Sequence, residues 1–153
     1  MNKTAFKHDR PNDSAGFLLW QVTSLWKSEL EKVFTSYGIT QLQFAVLASL
    51  KWFEEQHQET TQAHIVEHAK IDKMTVSRAL RKLEKLGWVA RERSNNDGRA
   101  LGIGLTEQGK DKVNQAIVDV EAADDRFFAG LTEQNLTAYK DLTVLLIQSR
   151  MQL

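Results

Sequence analysis

The tightest constraint on this chain is a change of apolar period at Gly87. Before it, Thr61 is placed to cap a short helix over Gln62 to Ala69, with Ile65 and Ala69 turned inward. A three-residue step, Lys70-Ile71-Asp72, leads to a second helix from about Lys73 to Leu86. Asp72 suits its N-cap, and Gly87 can take the positive φ of a helix end. Val76, Leu80 and Leu83 make an inner stripe, while Lys73, Thr75, Ser77, Arg78, Arg81 and Lys82 face out. After Gly87 the period becomes two. Trp88 to Arg93 reads as a strand, Asn95-Asn96-Asp97-Gly98 as a turn, and Ala100 to Leu105 as a second strand. In that strand Leu101, Ile103 and Leu105 alternate with Gly102 and Gly104. A short helix, a tight step, a longer helix and a polar-tipped hairpin, in that order, fit few architectures.

The flanks are helical. From Ser14 to Tyr37 the apolar positions Leu18, Val22, Leu25, Trp26, Leu30, Val33 and Phe34 recur every three or four residues, and Gly38 closes the run. Thr40 and Gln43 form a capping box for a helix to about Phe53, which buries Phe44, Leu47 and Leu50 or their neighbours before a polar loop over Glu54 to Glu59. Two further helices open with the same tetrapeptide, Leu105-Thr106-Glu107-Gln108 and Leu131-Thr132-Glu133-Gln134. The first, to about Phe128, presents Val113, Ile117, Val120 and Phe127. The second presents Leu136, Tyr139, Leu142, Leu145 and Leu146. The 153 residues therefore make one mainly α unit, able to complete its core by pairing with a copy of itself.

Composition narrows the compartment and the partners. There is no Cys, hence no disulfide, thiolate metal site or thiol switch. The longest apolar run, Phe44 to Ala48, is far below the roughly 20 residues a bilayer span needs. Residues 1–13 lack a signal peptide's apolar stretch, so the expectation is a soluble cytoplasmic protein with no membrane partner. Lys+Arg and Asp+Glu balance at 20 each. Between Lys70 and Arg99, however, stand nine basic residues (Lys70, Lys73, Arg78, Arg81, Lys82, Lys85, Arg91, Arg93, Arg99) against four acids, and the excess of five is cancelled by the remainder. A local basic footprint is hidden in a neutral total. A solvated helix face rich in Lys and Arg is the plain alternative.

The central order reads as a helix-turn-helix followed by a wing. A helix fits the major groove of B-form DNA, where base edges display a distinguishing pattern of donors, acceptors and methyl groups. Arg78 is the candidate for a base edge, since Arg to guanine is the commonest specific contact. Thr75 and Ser77 can serve bases or phosphates, and Lys73, Arg81 and Lys82 the backbone. Arg99 at the hairpin tip suits an adjacent minor groove, with Asp97 placed to orient its guanidinium. Pairing of Asp97 with Arg99 across the turn, and solvation of each α-helical candidate, are the structural alternatives.

These residues, Asp72-Lys73-Met74-Thr75-Val76-Ser77-Arg78 through Leu83-Glu84-Lys85-Leu86-Gly87-Trp88-Val89, then Asp97-Gly98-Arg99 and Leu105-Thr106-Glu107-Gln108-Gly109, resemble the multiple antibiotic resistance regulator (MarR) family over essentially the whole chain. The resemblance implies a homodimer with a winged helix-turn-helix lobe over 40–105. Helices over 14–37 and 106–151 would form the dimerisation domain. It also implies double-stranded DNA as partner, in a pseudo-palindromic operator, and a ligand-responsive repressor as the function. Family members often bind small phenolic or other aromatic anions between the dimer helices and the lobe, and Phe17, Trp20, Trp26, Phe44 and Trp52 are candidates for such a cavity. At helical spacing they equally suit plain core. The sequence departs from the family's Asp-Arg-Arg wing in having Gly98 at the first Arg, and Gly102 and Gly104 in a strand that is often basic.

Other functions fit less well. Gly104 to Asp111 nearly spells a phosphate-binding loop, but Asp111 stands where Ser or Thr must hold magnesium. Gly102-x-Gly104 lacks the third glycine of a dinucleotide fingerprint. His64 and His68, at i and i+4, could present a metal face, but surface histidines are the simpler reading. No cofactor, no metal and no catalytic set is expected, hence no enzyme. The alternative is a helical dimerisation or interaction module without DNA binding.

Overall fold

The computed structural model describes residues 5–93 and 101–151. After a short 3-10 turn at Pro11–Asp13 come six helices: α1 (Ala15–Tyr37), α2 (Gln41–Glu55), α3 (Gln62–Ala69), α4 (Lys73–Lys85), α5 (Glu107–Phe128) and α6 (Glu133–Met151). A hairpin of β1 (Val89–Arg93) and β2 (Leu101–Leu105) lies between α4 and α5. It is antiparallel, with Val89 opposite Leu105 and Arg91 opposite Ile103. No single helix among the described residues is long and apolar enough to cross a membrane.

Local chemistry sets the helix boundaries. The Ser14 hydroxyl accepts from the Phe17 amide, and Thr40 with Gln43 closes both bonds of its capping box. Thr61 starts α3 in the same way, with His64 Nδ1 as the reciprocal acceptor. Two boundaries differ from the sequence expectation. Helix α2 runs two residues beyond Phe53, and α4 has Leu86 as its C-cap. Gly87 follows at φ 75°, where its missing side chain permits the reversal into β1.

One core joins the elements. Helix α2 is central and packs against α1, α3, α4, α5 and β2. Leu47, Ile65, Val76, Leu80, Leu83 and Val113 are fully buried in it. Phe44 is only partly buried, and Val46 takes a core position beside Leu47. Hairpin and core meet through Ile103, which is buried and whose amide donates to the Thr60 carbonyl at 2.8 Å.

The joint between the hairpin and α5 is tight. The Thr106 hydroxyl donates to the Gly87 carbonyl at 2.6 Å and accepts from the Gly109 amide at 3.0 Å. A β-carbon at Gly109 would stand 1.9 Å from the Trp88 carbonyl oxygen. That contact explains the glycine of the near phosphate-loop match: it lets α5 start against the strand.

The two outer helices have apolar surface left over. Helix α6 contains no buried residue, and Leu142, Leu145, Leu146 and Ile147 on it are exposed. On α1, Leu30 and Phe34 are buried as the periodicity requires, but Leu18 and Leu25 are exposed in the single chain.

Replacing Gly109 by Ala forces that carbonyl aside and should cost about 1–3 kcal/mol in urea unfolding. Gly104→Ala, where a β-carbon meets nothing within 4 Å, is the control and should change little. A pH effect is expected between α1 and α5. The Tyr37 hydroxyl donates to Asp119, which pushes the phenol pKa up to about 12. Because the folded value is raised, this contribution is complete below the unfolded phenol pKa and is lost as pH rises through the folded one. The phenolate absorbance that disappears in Tyr37→Phe should therefore titrate near 12.

Candidate nucleic-acid interface

The candidate surface is the outer face of α4. Its inner stripe, Val76, Leu80 and Leu83, is completely buried, and Ala79 nearly so. Burying each large side chain contributes about 1.5–3 kcal/mol, enough to fix which way the helix faces. On the other side Lys73, Arg78, Arg81 and Lys82 are exposed, with Thr75 and Ser77 half-buried between them. Among the described residues, none of the four cations is paired with a carboxylate. Together these charges form a cationic surface of the kind phosphates attract.

The first turn of α4 is held from two sides. Asp72 Oδ1 accepts from the Thr75 amide at 2.9 Å. Across the step, Gln62 Nε2 at the start of α3 donates to the Lys73 carbonyl at 3.1 Å. The Thr75 hydroxyl, then the Thr75 amide, hold the Asp72 carboxyl below its usual range. The sequence reading missed Gln62, because nothing in spacing shows that a surface amide reaches across a turn.

The wider basic segment is less free than a charge count suggests. Arg91 Nε donates to Glu84 Oε1 at 2.8 Å, tying β1 to α4. Lys70 pairs with Glu67 and holds its carboxyl low. Both cations have structural partners, so among the described residues the segment's available charge concentrates on α4. Asp97 and Arg99, the candidates at the hairpin tip, lie outside the described residues.

His64 and His68 each meet partners within the protein. His64 Nδ1 accepts from the Thr61 amide, which leaves the proton of the neutral ring on Nε2. His68 stacks on Trp52 at 6.4 Å and meets Phe53 edge-on at 5.1 Å. Among the described residues no group of three or more His, Asp or Glu could hold a metal.

The five aromatic candidates do not gather around one cavity. Phe17 lines a hollow of about 400 Å³ against residues 6–11. Trp26 lines a notch of about 250 Å³ with Phe127, Phe128 and Tyr139, and its Nε1 donates to Asp124 at 2.7 Å. Phe44 packs on Phe34 in the core at 5.0 Å. Trp52 lies under His68, and Trp20 is 71% exposed. Helical periodicity put these residues on apolar faces but did not say which face meets which.

A family model described as an ArnR1-like winged-helix domain matches residues 35–122. The chain is 37% identical to the HTH-type transcriptional regulator YdcH of Bacillus subtilis, over 80% of its own length and 84% of that protein's. It is 32% identical to the HTH-type transcriptional repressor Rv2887 of Mycobacterium tuberculosis, over 82% and 87%. Among solved structures it is similar to Bordetella bronchiseptica BpsR, whose DNA binding is regulated by 6-hydroxynicotinic acid (TM-score 0.81, 20% identity, 93% and 97% covered). It is also similar to a mutant of MarR from E. coli complexed with operator DNA (TM-score 0.78, 23% identity, 91% and 99% covered).

The Asp72 cap yields a test of the first turn. Its depressed pKa makes the cap's contribution complete above the unfolded carboxyl value and lost as pH falls through the folded one. Asp72→Ala should lower Tm at neutral pH, and its difference from the parent should shrink on acidification through the carboxylate range. Asp72→Asn, still a good cap, should stay close to the parent at neutral pH.

Proposed function

Because the chain belongs to the MarR family of winged helix-turn-helix transcriptional regulators, we propose that it acts as a homodimeric, ligand-responsive repressor on a pseudo-palindromic operator. The observation that carries this reading is the outer face of α4: four cations without a carboxylate partner among the described residues, and two hydroxyl side chains, on a helix whose other side is locked into the core. Arg78 contacts a base edge in the major groove, Thr75 and Ser77 serve bases or phosphates, and Lys73, Arg81 and Lys82 grip the backbone. Arg99 enters the neighbouring minor groove, with Asp97 orienting it.

The exposed apolar residues of α1 and α6 support pairing of two chains through helices over 14–37 and 106–151. The lobe over 40–105 then presents α4. Two-fold symmetry places the two copies of α4 in successive major grooves about one helical turn, roughly 34 Å, apart. An effector acts by favouring a dimer in which that separation no longer fits. BpsR, regulated by a small aromatic acid, is the precedent for effector control. In this chain Trp26 and the rings beside it line an aromatic notch between α1, α5 and α6, where such a ligand could act on helix spacing.

Binding to duplexes selected from random sequence, measured at two salt concentrations, tests the reading. Tight, salt-sensitive and sequence-selective binding is expected. Arg78→Ala should cost about 1–3 kcal/mol and relax discrimination at one base position. Arg99→Ala should weaken binding and reduce the salt slope by about one. If both variants bind like the parent, the assignment of these residues is wrong. No binding at low salt would leave a helical dimerisation module.

A further inference from the structure

The first turn of α4 carries a long apolar side chain that the core does not use. Met74 is 63% exposed and belongs neither to the buried cluster nor to the partly buried residues packed on it. The stripe at Val76, Ala79, Leu80 and Leu83 already accounts for the docking of the helix. Met74 stands instead on the charged side, three and four residues before Ser77 and Arg78. In an α-helix those positions share one face.

The position of Met74 is fixed while its side chain remains adaptable. Its neighbours on either side are held, Lys73 through its carbonyl to Gln62 and Thr75 through its amide to Asp72. The methionine side chain itself has three rotatable bonds and a polarizable sulfur. Four residues of helix rise about 6 Å, which spans between one and two base-pair steps of about 3.4 Å. Of the base edges in the major groove, only thymine presents a methyl group. An apolar tip there can desolvate that methyl but offers nothing to a cytosine amino group, which loses its water without a partner.

We propose that Met74 is a specificity-determining residue, reading the 5-methyl group of a thymine one or two base pairs from the base contacted by Arg78. The proposal rests on the DNA-binding reading above and extends it to a side chain that forms no hydrogen bond or ion pair with DNA.

The test uses the full chain and the duplex it selects from random-sequence DNA. Each thymine of one half-site is replaced singly by uracil, which removes the methyl and keeps the pairing. Affinities are measured for the parent and for Met74→Ala. One replacement should weaken the parent about fourfold, the size expected for one buried methyl. The same replacement should leave Met74→Ala unchanged. The proposal is overturned if no replacement affects the parent, if the loss persists undiminished in Met74→Ala, or if the selected site has no thymine at that spacing. Selection of no preferred sequence would overturn the DNA-binding reading itself, a different result. The parent's response to uracil does not depend on how the variant folds.

Discussion

The structure depends on the burial of one stripe on one helix. Val76, Leu80 and Leu83 have no exposure at all, and they hold α4 against the body formed by α2 and α3. A helix of 13 residues is marginal alone in water, so this burial supplies both its existence and its direction. Everything attributed to the outer face follows from that division, because a helix whose inner stripe is buried keeps its other face turned outward. The Asp72 cap and the Gln62 bridge extend the constraint to the first turn, where the stripe has only begun.

Much of this was legible in the sequence because the deciding forces are local. Caps at Thr40, Thr61 and Asp72 were readable from side chains that accept from amides three residues on. The hairpin followed from alternation, and the inner stripe of α4 from its helical period. What could not be read was set by meetings between distant residues. The Glu84–Arg91 pair removes a cation from the basic footprint, and the Gln62 bond crosses the turn. The five aromatic residues likewise went to separate places, since periodicity gives a face and not its neighbour.

The outer helices show the same limit in another form. The apolar periodicity of α1 and α6 is real, yet Leu25, Leu142 and Leu145 remain exposed in the single chain. Such surface is costly in water and is removed when a second chain covers it. The proposed dimer thus joins stability to geometry, since the contact that buries these residues also sets the distance between two copies of α4. Any molecule that alters the packing of α1, α5 and α6 would then alter what the pair can bind.

The central claim is that α4 lies in the major groove with its charged face toward the bases. Chemical methylation of guanine N7, an atom that lies in that groove, measures this most directly on DNA selected by the protein. The account predicts protected guanines in two clusters about one helical turn apart, related by two-fold symmetry. Unchanged N7 reactivity throughout a duplex saturated with protein would contradict it.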